Sequence, residues 1–201
     1  MKTLSGIALV IALVSALLGF LFLRDSISPT YCNFSREAVK LYSPDRAFVV
    51  ENIVRPIETG NRLFLRNAID SKGILICVYL RSVDVLWSKD SKAFAVNDWG
   101  GSNFAEAYLY RKAGEHFALS PLNIRDALLS SDLDAEANKL ISNDDHNYVF
   151  IEKWDGSDRL IVRATGHFYE APNNVEYTYR YRFFLRTGRF ERLSRSTEES
   201  L

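Results

Sequence analysis

Twelve residues near the C-terminus, 175-VEYTYRYRFFLR-186, determine the expected fold class. Apolar and aromatic residues occupy every second position from Val175 to Leu185, and charged or polar residues fill most of the positions between them. Alternation with period two over this length indicates a β-strand with one buried and one solvent-facing side. Thr187-Gly188 then supplies a turn, so residues 189–193 are expected to return as the partner strand.

The chain before this hairpin has mostly the same character. Residues 147–153 and 159–165 are predicted to form a second hairpin, because Asp155-Gly156 supplies the positive φ angles of a tight turn. Short apolar runs predict six further strands, at residues 47–54, 62–67, 73–80, 83–87, 92–96 and 104–111. We therefore predict a mainly β, antiparallel domain, and the internal repeat described below adds the expectation of a propeller-like or twisted sheet.

A short helical insertion is expected to divide these strands. Ser120-Pro121 has the pattern of an N-cap followed by proline at the first helical position, and apolar residues follow it. Asp132 is expected to cap a second helical piece that runs to Ile141.

The chain contains a short internal repeat with an offset of 45 residues. SPDRAFVV at 43–50 aligns with SKDSKAFAV at 88–96, and Leu86-Trp87 precedes the second copy. The second copy resembles the W-S-P-D-G-K plus apolar-strand motif of TolB-type β-propeller repeats, with Lys89 in place of proline and Ser91 in place of glycine. The resemblance implies two strands joined by a polar turn, an aromatic residue packed between blades, and a binding scaffold rather than a reaction.

An uncharged run at the N-terminus predicts a membrane address. The 21 residues of Thr3–Leu23, TLSGIALVIALVSALLGFLFL, span about 31 Å as a helix, which matches the hydrocarbon core of a bilayer. No good small-x-small cleavage site closes the run, so a retained anchor is favoured over a cleaved signal peptide. We predict a transmembrane signal-anchor over 1–23, a tether over 24–35 and a β-rich domain over 36–201. The short N-terminal tail favours a cytoplasmic N-terminus and a periplasmic or extracellular domain on a single-pass inner (cell) membrane protein.

Charge is balanced overall but segregated along the chain. Without Lys2, the domain has 24 basic and 25 acidic residues, so we expect no nucleic-acid partner. Residues 126–158 carry nine acidic side chains, whereas residues 175–195 carry six arginines. Two oppositely charged faces are therefore compatible with the sequence.

Two cysteines, Cys32 and Cys77, follow the membrane run. In an oxidising compartment they are compatible with one disulfide, which closes a loop of about 45 residues and contributes roughly 3–4 kcal/mol. The alternative is a buried free thiol at Cys77, which lies in the apolar run 73–80.

The sequence lacks the familiar catalytic and cofactor motifs. Its three histidines have no metal-ligand spacing, and no phosphate-binding glycine loop or nucleophile elbow is present. We expect neither a cofactor nor a metal. A pair of carboxylates that meets only in space, as in glycoside hydrolases, stays open.

Two features are candidate binding sites. The loop 97–103, NDWGGSN, carries Asp98 and a large aromatic side chain, Trp99, which is either a contact for a protein or sugar or a lid folded back onto the sheet. Arg180, Arg182 and Arg186 share one strand face, where they either bind anionic groups or pair with acidic neighbours.

These features lead to three functional hypotheses. The first is a membrane-anchored extracytoplasmic module that binds an envelope protein or a glycan. The second is a periplasmic hydrolase with a carboxylate-lined cleft, and the third is an inhibitor or immunity protein against an envelope-acting toxin.

Overall fold

The computed structural model describes residues 30–35, 37–55, 60–69, 73–118, 121–131, 135–142, 146–170 and 173–200. These residues form fourteen strands and two short helices. The strands are β1 Tyr31–Phe34, β2 Lys40–Tyr42, β3 Phe48–Ile53, β4 Asn61–Asn67, β5 Gly73–Tyr79, β6 Val83–Trp87, β7 Ala93–Asp98, β8 Phe104–Ala113, β9 His116–Phe117, β10 Leu122–Asn123, β11 His146–Trp154, β12 Arg159–Glu170, β13 Asn173–Phe184 and β14 Arg189–Ser200. The helices are α1 Ile124–Leu129 and α2 Ala135–Ile141. The mainly β character predicted from the alternating pattern is confirmed.

The strands form one four-stranded sheet and one ten-stranded sheet, and the ten-stranded sheet consists of two antiparallel groups that are described here as separate sheets. β2-β3-β4-β5 is a four-stranded sheet, here called sheet one. β1-β6-β7-β8 forms sheet two, with β9 and β10 added to β8, and β11-β12-β13-β14 forms sheet three. A short parallel pairing of Asn147 with Phe104 and of Tyr148 with Ala105 joins sheets two and three. The sheets are not closed into a ring.

Sheet two lies between the other two sheets, and both of its faces are buried. Val83, Val85 and Trp87 pack with residues of sheet one, whereas Leu86 packs with residues of sheet three. This position explains why β6 and β7 are almost continuously apolar rather than alternating. Trp87 is buried between sheets one and two, with its ring centroid 4.9 Å from that of Phe94.

The internal repeat forms two turns with the same hydrogen bonds. In the first turn, the Ser43 hydroxyl donates to Asp45 and accepts from the backbone N–H of Phe48, 2.9 Å away. In the second turn, the Ser88 hydroxyl donates to Asp90 and accepts from the N–H of the next strand at 3.0 Å. The third residue after each serine has φ of 59°. The offset of 45 residues is thus confirmed at the turns.

The two turns also contact each other. The backbone N–H of Asp45 donates to the hydroxyl of Ser91 at 2.9 Å, and Ser91 is buried. The repeated turns therefore help to hold sheet one against sheet two.

The helical insertion is present but begins later than predicted. Leu122 and Asn123 pair with β8, so α1 begins at Ile124, and the Asn123 side chain accepts the N-cap hydrogen bond from Asp126. The predicted cap Ser120 and the predicted cap Asp132 lie outside the described residues. Four apolar side chains of the two helices pack into the core between sheets two and three: Ile124, Leu128, Ala137 and Ile141.

The hairpin of β13 and β14 confirms the pattern of the C-terminal stretch. Tyr177, Tyr179, Tyr181 and Phe183 are buried, while the residues between them are more exposed. Gly188 has a φ of +66° in the turn, which glycine adopts at little cost.

The segment 24–35 is not a tether throughout. Its residues Tyr31–Phe34 form β1, which pairs with β6 and extends sheet two. The side chain of Phe34 is fully buried in the core. The predicted anchor 1–23 lies outside the described residues. Among the residues that are described, no helix has the length and apolar character needed to cross a membrane.

Candidate functional site

A groove opens between sheets two and three. Its volume is about 330 Å³, and we call it the Trp99 groove after the loop residue at one side. Five lining side chains carry its chemistry: Tyr31, Asp84, Trp99, Phe150 and Glu152. They come from β1, β6, the loop after β7, and β11, so only the packing of the two sheets brings them together.

Asp84 is the centre of the groove's hydrogen-bond network. Its carboxylate accepts from the Trp99 indole N–H at 2.7 Å, the Asn33 amide at 2.7 Å and the Tyr31 hydroxyl at 3.1 Å. Asp84 is only 7% exposed, so these bonds replace the water that a buried carboxylate needs. Burial, and then the charge of Asp84, raise the pKa of Tyr31 to about 12, which keeps its hydroxyl a donor.

Aromatic contacts hold Trp99 on the other side. The ring centroid of Trp99 lies 5.2 Å from that of Phe150 and 6.4 Å from that of Tyr148. Trp99 therefore folds back onto β11 while its ring still lines the groove. The lid and the contact roles that the sequence left open are compatible with this one position.

Asn97 links β7 to β11 on the two sides of the groove. Its side-chain amide donates to the carbonyl of Ile151 at 2.9 Å, and its carbonyl accepts from the N–H of the same residue at 2.8 Å. A side chain of β7 thus binds the backbone of β11 as a neighbouring strand would. This pairing fixes β11 beside the loop that carries Trp99.

Two of the three arginines that were predicted to share a strand face, Arg180 and Arg182, pair with acidic side chains. Arg180 forms a two-pronged ion pair with Glu152, with Nε donating to Oε2 at 2.9 Å. Arg182 donates to Asp155 at 2.9 Å and to Glu191 at 3.0 Å. The structure therefore links Arg180 to the Trp99 groove through Glu152. Arg186 is exposed beyond the end of β13 and is not among the groove-lining residues.

Asp98 lies on the opposite side of β7 from the groove. Its register partner on β8 is Glu106, and the Asp98 charge affects Cys77 of sheet one. Burial, and then the charge of Glu106, raise the pKa of Asp98 to about 6. Within the described part of the chain, its Oδ1 is buried without a hydrogen-bond partner. Asp98 and Trp99 are neighbours in sequence but belong to different sites.

Both cysteines are free thiols in the structure. Cys32 is on β1 in sheet two, whereas Cys77 is on β5 in sheet one. Burial, and then the charge of Asp98, raise the pKa of Cys77 to about 12. At neutral pH this thiol is therefore protonated and weakly reactive.

Among the described residues, no group of three or more histidine, cysteine, aspartate or glutamate side chains converges. The groove instead offers aromatic surfaces, one buried carboxylate and one ion pair. These groups suit the binding of a ligand with a polar or cationic part.

Four of the five groove side chains were missed in the sequence: Tyr31, Asp84, Phe150 and Glu152. One signal was available for Asp84, a single carboxylate inside the apolar strand 83-VDVLW-87. A charged residue in a fully buried strand needs buried partners, and those partners mark a specific local structure.

No protein-family model matches the sequence, and no curated protein matches it. Among solved structures, a chain from a study of two prolyl endopeptidases is similar with a TM-score of 0.36 and 10% sequence identity. The alignment covers 82% of this chain and 36% of that chain, so this chain spans about a third of that protein. A similarity this weak identifies no family and carries no functional inference.

Proposed function

We propose that this protein is a membrane-anchored binding module of the cell envelope, and that it holds a protein partner in the Trp99 groove. The observation that carries the proposal is the network around Asp84, which ties the Tyr31 and Trp99 side chains to one buried carboxylate. Rings held in place before binding lose little conformational entropy when a partner arrives. Partly exposed tryptophan and tyrosine side chains are also the residue types that dominate binding energy in protein interfaces.

The carboxylates of the groove support binding rather than hydrolysis. Asp84 accepts three hydrogen bonds, and Glu152 is held by Arg180. A general acid or base must reach the reacting group and exchange a proton with it. Both carboxylates are already committed to structural partners, so the hydrolase hypothesis lacks its acid and base in this groove.

The proposed location follows from the distance along the chain between the apolar run and the groove. Seven residues separate Leu23 from Tyr31, and an extended chain of that length spans at most about 25 Å. If Thr3–Leu23 is retained as an anchor, the groove is confined to the membrane-proximal layer of the envelope. The partner is then another membrane protein or a protein within that layer.

Site-specific photocrosslinking in intact cells tests the proposal. A photoreactive phenylalanine analogue replaces Tyr31, which is 52% exposed, and a control chain carries it at Leu193 on β14, which is 41% exposed. We expect the Tyr31 position to form a discrete adduct that the Leu193 position does not form. Trp99→Leu in the same chain should abolish this adduct.

Identical adducts from both positions, or an adduct that survives Trp99→Leu, would show that the groove is not the binding site. The anchor is tested separately by extraction of the membranes at alkaline pH. The full-length chain should stay in the membrane pellet, and its release would contradict the anchored part of the proposal.

A further inference from the structure

The aromatic wall of the Trp99 groove is suited to a cation. Three rings line it, from Tyr31, Trp99 and Phe150. One of these rings, Phe150, also lies near a protein cation, since the guanidinium carbon of Arg163 is 6.0 Å from the ring centroid. Among the described residues, Tyr31 and Trp99 supply the rings without such a neighbour. The faces of aromatic rings carry negative electrostatic potential, which binds ammonium and guanidinium groups.

The negative charge of Asp84, at the base of the groove, also favours a cation. The three groups that donate hydrogen bonds to Asp84 are neutral: a phenol, an amide and an indole. Glu152 differs, because its charge is offset by Arg180. In the described part of the chain, Asp84 forms no ion pair, and neither lysine nor arginine lines this groove. The negative charge of Asp84 is thus solvated by neutral donors, and a cation that lies near it is favoured electrostatically.

The shape of the site favours an extended chain. A second pocket of about 220 Å³ shares Tyr31 and Glu152 with the groove and continues it toward Lys89, Lys153 and Trp154. β1 is the terminal strand of sheet two, and within the described residues no strand pairs with its outer edge. An extended peptide can add to such an edge through its backbone and place alternate side chains in neighbouring pockets.

We infer that the Trp99 groove recognises the lysine or arginine side chain of an extended segment of the partner protein. This inference rests on the proposed function and specifies its ligand. The cationic group lies among the three rings near Asp84, and the segment continues into the second pocket beside Lys89 and Lys153, where an acidic or apolar residue is favoured.

Three short peptides that differ in one side chain test the inference. Their central residue is lysine, norleucine or glutamate, between glycines and with blocked ends. Norleucine keeps the aliphatic stem of lysine and removes its ammonium group. Binding to the full-length chain in an uncharged maltoside detergent is followed by calorimetry. We expect the lysine peptide to bind at least about fivefold more tightly than the norleucine peptide, and the difference to shrink at high salt.

A substitution at Asp84 tests whether its charge sets the preference. Asp84→Asn removes the charge and replaces one of the two acceptor oxygens by an NH2 group, so it also breaks part of the network with Tyr31, Asn33 and Trp99. The measured quantity is therefore the ratio of the lysine affinity to the norleucine affinity in the same variant, and Asp84→Asn should remove most of this preference. Glu191→Gln is the matched control, because it removes an exposed acidic charge outside the groove, and it should keep the preference.

Equal binding of the lysine and norleucine peptides would overturn the inference, and so would a lysine preference that persists in Asp84→Asn. Absence of binding by all three peptides would overturn it as well. None of these results affects the photocrosslinking test, which asks only whether a partner occupies the groove. A groove that crosslinks a partner but prefers no cation refutes this inference and keeps the proposed function.

Discussion

Replacement of Asp98 by asparagine tests whether the buried position of this carboxyl group raises its pKa and destabilises the folded protein at neutral pH. Asp98 is half-buried, its Oδ1 has no hydrogen-bond partner among the described residues, and Glu106 is its register partner. Both the loss of water and the neighbouring acidic charge oppose ionisation, so its pKa rises from 3.8 to about 6. Asp98→Asn keeps the size of the side chain and removes this unfavourable charge.

The expected effect depends on pH with a definite sign. Because the pKa is higher in the folded state, the folded protein binds the proton more tightly than the unfolded chain does. The resulting stability is complete below about pH 3.8 and is lost as the pH rises through about 6. At about 1.4 kcal/mol per pKa unit, the shift corresponds to about 3 kcal/mol as an upper bound. Since Asp98 remains partly solvated, screening reduces the expected value to about 1 kcal/mol.

Urea unfolding of the full-length chain in detergent, followed by tryptophan fluorescence, measures this effect. We expect Asp98→Asn to raise the free energy of unfolding by about 1 kcal/mol near pH 7.5 and to change it little near pH 4. Asp158→Asn is the matched control, because that carboxyl group is mostly exposed, and its effect should be small at both pH values. An Asp98→Asn effect of equal size at both pH values, or a loss of stability near pH 7.5, would refute the reasoning.

Three further predictions concern the turns, the edge of sheet one and the cysteines. Ser88→Ala should lower the free energy of unfolding in urea by about 1–3 kcal/mol, because it leaves the buried N–H of Ala93 without its acceptor; an effect under about 0.5 kcal/mol contradicts this. Leu75→Lys should change the same free energy by less than about 0.5 kcal/mol, because Leu75 is 47% exposed on the edge strand β5, and a large loss would mean that this edge is covered. Cys77 is partly buried and its pKa is raised, so it should react with a maleimide at neutral pH much more slowly in the folded chain than in the unfolded chain, as measured by mass spectrometry, and equal labelling rates would contradict this.

The sequence was informative wherever neighbours along the chain decide the structure. The alternation in 175–186 predicted a strand with one buried face, and the observed β13 buries Tyr177, Tyr179 and Tyr181. The serine turns of the repeat were visible for the same reason, since their hydrogen bonds join residues only two to five positions apart. The helix start was harder to predict, because pairing of residues 122–123 with β8 outweighed the local signal at Ser120-Pro121.

The candidate site was only partly predictable. Trp99 was a candidate because it is a large aromatic residue in a predicted loop, and Arg180 because it is one of several arginines on a predicted strand. Arg180 reaches the groove only through Glu152, which lines the groove together with Trp99, and this depends on the packing of β11. In an extended strand, successive side chains point to opposite faces of the sheet, so the sequence indicates that Asp98 and Trp99 point in different directions. It does not indicate which residues lie on each face. Asp98 therefore seemed to belong with Trp99, although the structure places it toward Cys77 and Glu106.

The sequence by itself determined most of the strands and the tight turns, because each of these depends on interactions within a few residues. Only the tertiary structure decided that β1 joins sheet two and that Tyr31, Asp84, Trp99 and Phe150 share a groove. The physical reason is that period-two patterning specifies a buried face but not the strand or sheet that covers it. The contacts that form the groove join residues 15 to 54 positions apart, and they are selected by the packing of whole sheets.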